Sequence, residues 1–443
     1  DSRKAYRRAA AEVMNKRAAE FKRSCRTRMI MEAIKRFEDR DRFYIPWSFD
    51  YRGRAYPIPA FLTPQDTDFG KAIIRFADET YITSRGCQWL AFQCATTYGL
   101  DKATMKERLD WVLKNIPLII RVAKDPIDNL GDWEAADEPW QFLSACEEYY
   151  NVCITKSRKT TGLPVATDAT CSGLQILAGL ARDKSTAQLV NVLPSDRPQD
   201  AYKVVAETSK PYIPPFLHDV WDRKCVKRTV MTIPYNAKPF SNRSYIKDAL
   251  KEKGVEIHKD DLTITVKAVR DAMQSVVPGP MSVMKWIEDE VSKAIKRGEP
   301  YLEWVTPSGF VVHQRIMKKK ITRLKLQLLG ECQLKIAIDR DKVDLNRHKA
   351  ATAPNLIHSL DASLLHLSAI RFDNPIALIH DSVLTRAVDM DELSTIIRET
   401  YMHLFAERDY LNDFASQIGA ETEPPIIGDL KPETVINSTY FFC

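Results

Sequence analysis

The sequence predicts an α-rich, mixed α/β protein (α+β in arrangement), and three patterns predict it. Apolar side chains recur at helical spacing through residues 1–37, and helical character returns across 84–155 and 198–300. Short apolar runs, Leu163 to Thr167 and Ile376 to Ile379, have the length of buried strands and lead into aspartates, Asp168 and Asp381. Between 303 and 340 the pattern alternates in the manner of strands around Thr306-Pro307-Ser308-Gly309, a turn signal.

Taken in order, residues 1–37 place Tyr6, Ala10, Val13, Phe21, Cys25, Met29 and Phe37 at helical spacing with Arg and Lys between them, which predicts one or two long basic amphipathic helices. Residues 43–60 change character. Their aromatics and prolines, around Asp50-Tyr51-Arg52-Gly53-Arg54-Ala55-Tyr56-Pro57, predict strand and turn. At 162–182 the pattern is strand, turn, helix, with Asp168 closing the strand and Ser172 expected to cap the helix through Leu174, Ile176, Leu177 and Leu180. Residues 317–340 read as a basic hairpin. The two-residue period puts Arg323 and Lys325 on one face of the first strand, and Gln333 and Lys335 likewise on the second, across Leu329-Gly330-Glu331. A helix is expected near 354–371, opened by His358 after Pro354-Asn355. A hairpin then spans 376–388, with His380-Asp381-Ser382 at its tip.

Composition sets the outer limits. The 443 residues suffice for about two or three core-forming units, and 44% apolar with 28% charged residues is ordinary for a globular chain. No run reaches the roughly 18 apolar residues of a membrane-spanning helix. A signal peptide is not expected, and a start at Asp1 inside a helical pattern is expected to belong to a longer protein. The nine cysteines form no C-x-x-C pair, which speaks against a zinc site or a disulfide framework. The net charge of +6 is uneven: residues 1–43 hold 14 Lys and Arg against 7 Asp and Glu. Basic density of that kind binds phosphate backbones by releasing counterions, although a solvated basic helix would look the same.

Two constellations carry chemistry. Asp168 and Asp381, each at the end of a short apolar strand, suit a two-metal phosphoryl-transfer site if their strands are neighbours, with magnesium as the hard cation that carboxylates hold. A lone aspartate in such a place is usually a turn former. Arg223, Lys227 and Tyr235, spaced by four and eight, are expected on one helix face, where the cations grip a triphosphate and the tyrosine meets a nucleoside. The helix should bend or end at Pro234, which has no amide donor. His358 is a candidate donor to a sugar hydroxyl.

Six segments in this order resemble the single-subunit RNA polymerases of podovirus bacteriophages, a family that includes the mitochondrial enzymes. They are Asp50 to Tyr56, Asp168-Ala169-Thr170-Cys171-Ser172-Gly173-Leu174-Gln175, Lys227 to Tyr235, Trp304 to Phe310, Ala353 to Ser359, and His380-Asp381-Ser382. The resemblance implies a right-hand fold with a palm sheet and helical fingers, the N-terminal domain and most of the thumb being absent from this chain. It implies a thumb remnant at 1–40, palm at 41–90, a helical palm insertion at 91–157, palm again at 158–185, fingers at 186–358 and palm with a C-terminal foot at 359–443. The activity implied is DNA-templated RNA synthesis with two Mg2+ ions on Asp168, Asp381 and the Ala169 carbonyl. Arg223 and Lys227 would hold the triphosphate, and Tyr235 with His358 would sense the ribose 2′-hydroxyl. Tyr202 would lie beside the nascent base pair, and Arg52 and Arg54 against the template strand or hybrid. Arg323, Lys325, Gln333 and Lys335 would read promoter DNA from the specificity loop. The implied partners are promoter and template DNA, nascent RNA and ribonucleoside triphosphates. The implied setting is a monomer, off the membrane, in the cytoplasm of an infected bacterium.

The sequence departs from the family in places. Asn236 replaces the glycine that usually follows the fingers tyrosine, Pro234 stands where a helix former is common, and Ala169 replaces a common glycine. The stretch 95–158 is short for the family, and the aromatic end Tyr440-Phe441-Phe442-Cys443 is expected to be the family terminus. Two other readings remain open: a DNA polymerase of the related A family, which places a glutamate where Gly173 stands, and a fragment that binds nucleic acid without catalysis. A P-loop ATPase is excluded because no G-x-x-x-x-G-K-[ST] occurs.

Overall fold

The computed structural model describes residues 2–326, 332–425 and 428–442; for Arg8, Lys325, Leu326, Cys332 and Gln333 it describes the backbone alone. Helix occupies 57% of the chain and strand 12%, so the α-rich mixed class is what is found. Two compact units divide it. One comprises Asp1–Ser48, Ala55–Ala166 and Asn374–Asp391; the other Phe49–Arg54, Thr167–Asp373 and Glu392–Cys443.

In the first unit, α1 (Ser2–Phe37) is a single helix of 36 residues, about 54 Å long. Tyr6, Val13, Met14, Phe21 and Met29 are exposed on it, while Ile30 is buried and Arg26 is tied to Asp66 at 2.6 Å. Short strands β1 (Trp47–Phe49) and β2 (Ala55–Pro57) pair across the loop 50–54. After α2 (Asp68–Ala72), strand β3 (Thr80–Tyr81) pairs with β4 (Thr160–Thr161). Between them lies a helical layer: α3 (Ser84–Tyr98), α4 (Met105–Lys114), α5 (Ile116–Lys124), α6 (Leu130–Trp133) and α7 (Pro139–Tyr149). Thr83 caps α3 and a Thr104/Glu107 capping box opens α4. Leu90, Cys94, Val112, Ile119, Phe142 and Cys146 form its dry centre. Buried Glu148 is offset by Arg75 and Arg158.

A three-stranded sheet orders β10 (Ile376–Ile379), β11 (Ser382–Arg386) and β5 (Pro164–Asp168). The hairpin expected at 376–388 is present, with Ile379 opposite Ser382 and His380 at φ 56° in the turn. Residues 164–166 of β5 belong to this unit and its last two to the other.

The second unit carries α8 (Ser172–Ala181), α9 (Lys184–Leu189), α10 (Ala201–Ser209), α11 (Arg223–Thr232), α12 (Pro239–Glu252), α13 (Lys259–Val276) and α14 (Pro278–Arg297). Then come the β6–β7 hairpin (Leu302–Val305, Val311–Gln314), the β8–β9 ribbon (Met317–Leu326, Cys332–Val343), α15 (Leu345–Arg371), α16 (Met390–Ala406) and α17 (Tyr410–Gln417). Ser172 does not cap α8: the N-cap is Cys171 and no side chain caps that end. The C-terminal residues pack under its first turn. Ala169 bridges Phe442, Thr170 Oγ1 donates to the Tyr440 carbonyl at 3.1 Å, and Gln175 Nε2 donates to the Phe441 carbonyl at 2.9 Å.

The β8–β9 register pairs Arg323 with Lys335 and Lys325 with Gln333, so these four positions share one face, together with Lys319, Asp339, Ile321 and Ala337. The other face holds Lys320, Ile338, Thr322, Ile336, Leu324 and Leu334, and its Leu and Ile side chains are exposed. The expected turn at Leu329-Gly330-Glu331 lies outside the described residues.

Candidate active site

The second unit gathers most of the expected residues around the joint between α11 and α15. Asp222 caps α11 by accepting from the Lys224 and Cys225 amides. Arg223 and Lys227 follow on the helix, four apart. Lys227 is exposed. Arg223 donates Nε to Asp200 at 2.5 Å, and its guanidinium lies 5.3 Å from the centre of the Tyr202 ring. Asp200 is itself the N-cap of α10, accepting from the Tyr202 and Lys203 amides. The arginine is thus held in place by the helix that carries Tyr202. Tyr202 is buried, and its hydroxyl reaches Cys171 Sγ at 3.5 Å. Burial, then Cys171, pushes its phenol far above the ordinary tyrosine range.

The expected row Arg223, Lys227, Tyr235 is corrected at its end. The helix stops at Thr232, before Pro234, and Tyr235 stands in the following turn. That turn needs Asn236 at φ 60°, in the left-handed region that asparagine tolerates. The asparagine does more than tolerate it. Its Nδ2 donates to the carbonyls of Lys349 and Ala350, at 3.3 and 3.2 Å. Pro354, inside α15, has no amide to offer the Ala350 carbonyl four residues back, so Asn236 supplies the donor the helix lacks.

His358 is also corrected. It does not open a helix but lies in mid-helix, because α15 begins at Leu345 and runs through Pro354. Its ring stacks on Tyr235, centroids 4.7 Å apart at 28°. Arg52 Nη1 lies 2.7 Å from His358 Nδ1. Arg52 also donates Nε and Nη2 to Asp50 Oδ2, at 2.9 and 2.6 Å. Asp50 Oδ1 accepts the Arg52 and Arg54 amides, and Gly53, at φ +92°, lets the loop close. Arg54 makes a two-pronged ion pair with Asp361, one turn beyond His358 on the same helix. Both loop arginines are therefore anchored on carboxylates of their own chain.

Tyr235 has a further neighbour in α8. Its hydroxyl is 3.5 Å from Ser172 Oγ, and a Cβ built on Gly173 would lie 2.8 Å from that hydroxyl. Burial, then the Asp361 carboxylate, raises the Tyr235 phenol well above its ordinary range, so it stays a neutral hydroxyl.

Asp168 is exposed at the end of β5, followed by half-buried Ala169. Asp381 lies in the first unit, in the tip of the β10–β11 hairpin, half-buried. Among the described residues, no group of three or more His, Cys, Asp or Glu side chains is placed to hold a metal ion. Arg323 and Lys335 are exposed cross-strand partners on the β8–β9 ribbon, and Lys325 and Gln333 are paired by backbone register. Sequence reasoning gave no role to Asp361, Asp50 or Asp200. Asp361 had a signal: it lies three residues beyond His358, hence on the same helical face. Asp50 and Asp200 had none beyond being acids near an arginine.

These residues belong to a chain with known relatives. A family description, DNA-dependent RNA polymerase, matches residues 80–427. The chain belongs to that family. It is 31% identical to the chloroplastic DNA-directed RNA polymerase 3B of Nicotiana tabacum over 94% of its length, and 28% identical to the DNA-directed RNA polymerase of Enterobacteria phage K11 over all of it. It is also 30% identical to the mitochondrial DNA-directed RNA polymerase 1 of Arabidopsis thaliana. The chain spans about half the length of these relatives: 46% of the tobacco protein, 56% of the phage one and 46% of the Arabidopsis one.

Proposed function

We propose that this chain performs DNA-templated RNA synthesis, adding ribonucleoside monophosphates to an RNA 3′ end with release of pyrophosphate. The observation that carries the reading is the packing of Tyr235 between His358 and Gly173 in a chain of the RNA polymerase family. A glutamate at position 173, the A-family DNA polymerase feature, does not fit beside Tyr235 as placed, and this disfavours the DNA polymerase reading.

In this reading Tyr235 and His358 meet the ribose and test for its 2′-hydroxyl. Lys227 presents an exposed point charge to the triphosphate, and Arg223, oriented by Asp200, adds directional donors. Tyr202 borders the new base pair, and Arg52 and Arg54 border the template strand or hybrid. Residues 1–40 form the thumb remnant; 41–90, 158–185 and 359–443 the palm, with 91–157 inserted; and 186–358 the fingers. Arg323, Lys325, Gln333 and Lys335 face the major groove of promoter DNA, where Arg, Lys and Gln read base edges. The partners are promoter and template DNA, RNA and ribonucleoside triphosphates. The working form is a monomer. No described helix is long and apolar enough to cross a membrane. The proposed place of action is the cytoplasm of a phage-infected bacterium.

Asp168, Asp381 and the Ala169 carbonyl would hold two magnesium ions. They fit such ions as hard oxygen donors, and the exposure of Asp168 leaves room for the water and phosphate oxygens that magnesium keeps. The order β10–β11–β5 supports the pairing, since within the first unit residues 164–166, which lead to Asp168, lie in one sheet with the hairpin that Asp381 tips. When bound, the ions lower the pKa of the attacking hydroxyl and offset charge on the leaving oxygens. The protein's own part is positioning: rigid strands for the carboxylates and a braced helix for the phosphates.

The test is magnesium-dependent extension of an RNA primer on a DNA template with ribonucleotides. Asp168→Asn and Asp381→Asn should each abolish addition and leave the circular dichroism spectrum unchanged. Near-normal turnover in either variant removes the two-metal assignment. Nucleic-acid binding with no extension by the unmodified chain would leave the non-catalytic reading.

A further inference from the structure

The β8–β9 ribbon leaves the body of its unit at Ile316, and both backbone groups of that residue are held by the start of α15. The Asp344 amide donates to the Ile316 carbonyl at 2.9 Å, and the Ile316 amide donates to Nε2 of His348 at 3.0 Å. We propose that His348 is a positioning residue: with its ring proton on Nδ1, it pins the root of the ribbon to α15 and so sets the angle at which the ribbon meets duplex DNA. The inference rests on the reading of the ribbon as the promoter-facing element and names what holds that element in place.

A backbone N–H has no rotamer by which to turn away, so Nε2 presents its lone pair to Ile316. A neutral imidazole carries one proton, which is then on Nδ1. The Gln314 side-chain amide lies 3.2 Å from Nδ1 and 2.9 Å from Thr352 Oγ1. The end of that amide facing the ring is therefore its oxygen, which accepts the Nδ1 proton; a half turn exchanges the amide's oxygen and nitrogen. With the nitrogen towards the ring, both ring nitrogens would be acceptors, a state open only to an imidazolate. The direction passes on. Gln314 turns its amino group to the Asn355 amide, 2.6 Å away, whose oxygen accepts it together with the hydroxyl of Tyr51 at 2.9 Å. One backbone amide thus orients His348, Gln314, Asn355 and Tyr51 in a row that runs from the ribbon root to the loop 50–54.

The row is dry and uncharged. His348, Thr352 and Asn355 follow one another on one face of α15, and all three are buried, as is Gln314 at the end of β7. Burial is the larger influence on the imidazole and lowers its pKa, against the pull of Asp344, so the ring is neutral near neutral pH. Buried links of this kind are costly to break, because each loss strands a donor or acceptor away from water. The ribbon beyond them has nothing comparable. Met317 is buried, but every side chain from Lys318 to Leu324 and from Leu334 to Lys342 is exposed. Among the described residues, the ribbon's direction is therefore set at its root.

Two variants separate the two ring nitrogens. In His348→Gln the amide oxygen reaches the place of Nε2 and keeps an acceptor for Ile316; in His348→Asn the side chain reaches only the place of Nδ1 and loses it. The histidine rings of the full chain are labelled with 15N, His348 is assigned by its loss in His348→Gln, and the tautomer is read near about pH 7. Hydrogen–deuterium exchange is followed at residues 315–318, and transcripts made from a pool of randomised duplex templates are sequenced. The ring should be neutral with its proton on Nδ1. Exchange at the root should quicken about five- to tenfold in His348→Asn, the worth of one hydrogen bond, and stay within about twofold of the parent in His348→Gln. The bias among templates should weaken in His348→Asn and return in His348→Gln, while extension of a primed template, which needs no promoter, keeps its rate in both. A ring with its proton on Nε2, or with two protons, overturns the proposal even if neither variant folds. So does root exchange that is alike in the parent and His348→Asn, or as fast in His348→Gln as in His348→Asn. A template bias that survives in His348→Asn, or that falls together with primer extension, leaves His348 a packing residue and overturns its positioning role. If exchange behaves as expected but the parent shows no template bias, the pin stands and the promoter-facing reading of the ribbon fails.

Discussion

At the scale of single residues, the site is set by close approaches that leave little slack. Gly173 is the clearest: a methyl group there would stand 2.8 Å from the Tyr235 hydroxyl and 3.0 Å from its ring carbon. Gly173→Ala should cost about 1–3 kcal/mol of overpacking and displace the tyrosine. If a cost of that size falls on the transition state, primer extension should slow about five- to 150-fold, since each 1.4 kcal/mol is a factor of ten. A variant that extends primers at the parent rate would mean that the position of Tyr235 is not limiting. Asn236 makes a second test. Asn236→Ala loses the amide that serves the Ala350 carbonyl and keeps the left-handed backbone, at a combined cost of about 2–3 kcal/mol. Asn236→Gly loses the amide but relieves the backbone, so it should be less damaging by about 1 kcal/mol. Equal urea midpoints for the two would refute the backbone part of the argument.

At the scale of elements, α14 is pinned to the segment after α17 through one carboxylate. Glu290 is buried and accepts from Lys293 Nζ at 2.6 Å, Thr422 Oγ1 at 2.5 Å and the Glu421 amide at 2.6 Å. Burial alone would raise its pKa, but these donors outweigh it and hold the carboxyl down to about 2. A folded pKa below the unfolded one stabilises at neutral pH, and that contribution is lost as pH falls from the ordinary glutamate range towards about 2. Urea unfolding at a series of acid pH values should show the loss, and Glu290→Gln should flatten it; an unchanged slope would rule out this carboxylate as its source. Which elements exist was largely legible from periodicity. The strand ending at Asp168, the 376–388 hairpin, the basic ribbon and the helix stop before Pro234 are where the spacing put them. The errors have physical causes. The helix expected from near 354 begins earlier, at Leu345, because a side chain 118 positions before Pro354 supplies the donor that the proline lacks. Ser172 looked like a cap because nothing local tells a serine inside a first turn from one before it. For the site, residue types and order were legible. The partners of Arg52, Arg54 and Arg223 were not, because an ion pair between remote segments leaves no periodic trace.

At the scale of the whole molecule, charge placement matters more than net charge. The helix α1 carries a dense run of arginine and lysine with most of its side chains exposed. If it tracks a phosphate backbone, replacing Arg17, Lys22 and Arg28 with Gln should lower the slope of log affinity against log salt by roughly 0.9 for each duplex phosphate no longer neutralised. A slope that does not move would make α1 a solvated helix. The β8–β9 ribbon has a consequence of another kind. Its register puts Lys335 and Asp339 of the second strand on one side and the exposed Leu334, Ile336 and Ile338 on the other. Deep mutational scanning along these strands should therefore give a sawtooth. If the ribbon reads promoter DNA as proposed, changes at Lys335 would alter which templates are chosen, and polar replacements at 334, 336 and 338 would alter yield and clumping during purification. On that reading, neighbouring codons would answer to different selective pressures, one set by the DNA the ribbon meets and the other by the crowd of proteins around it.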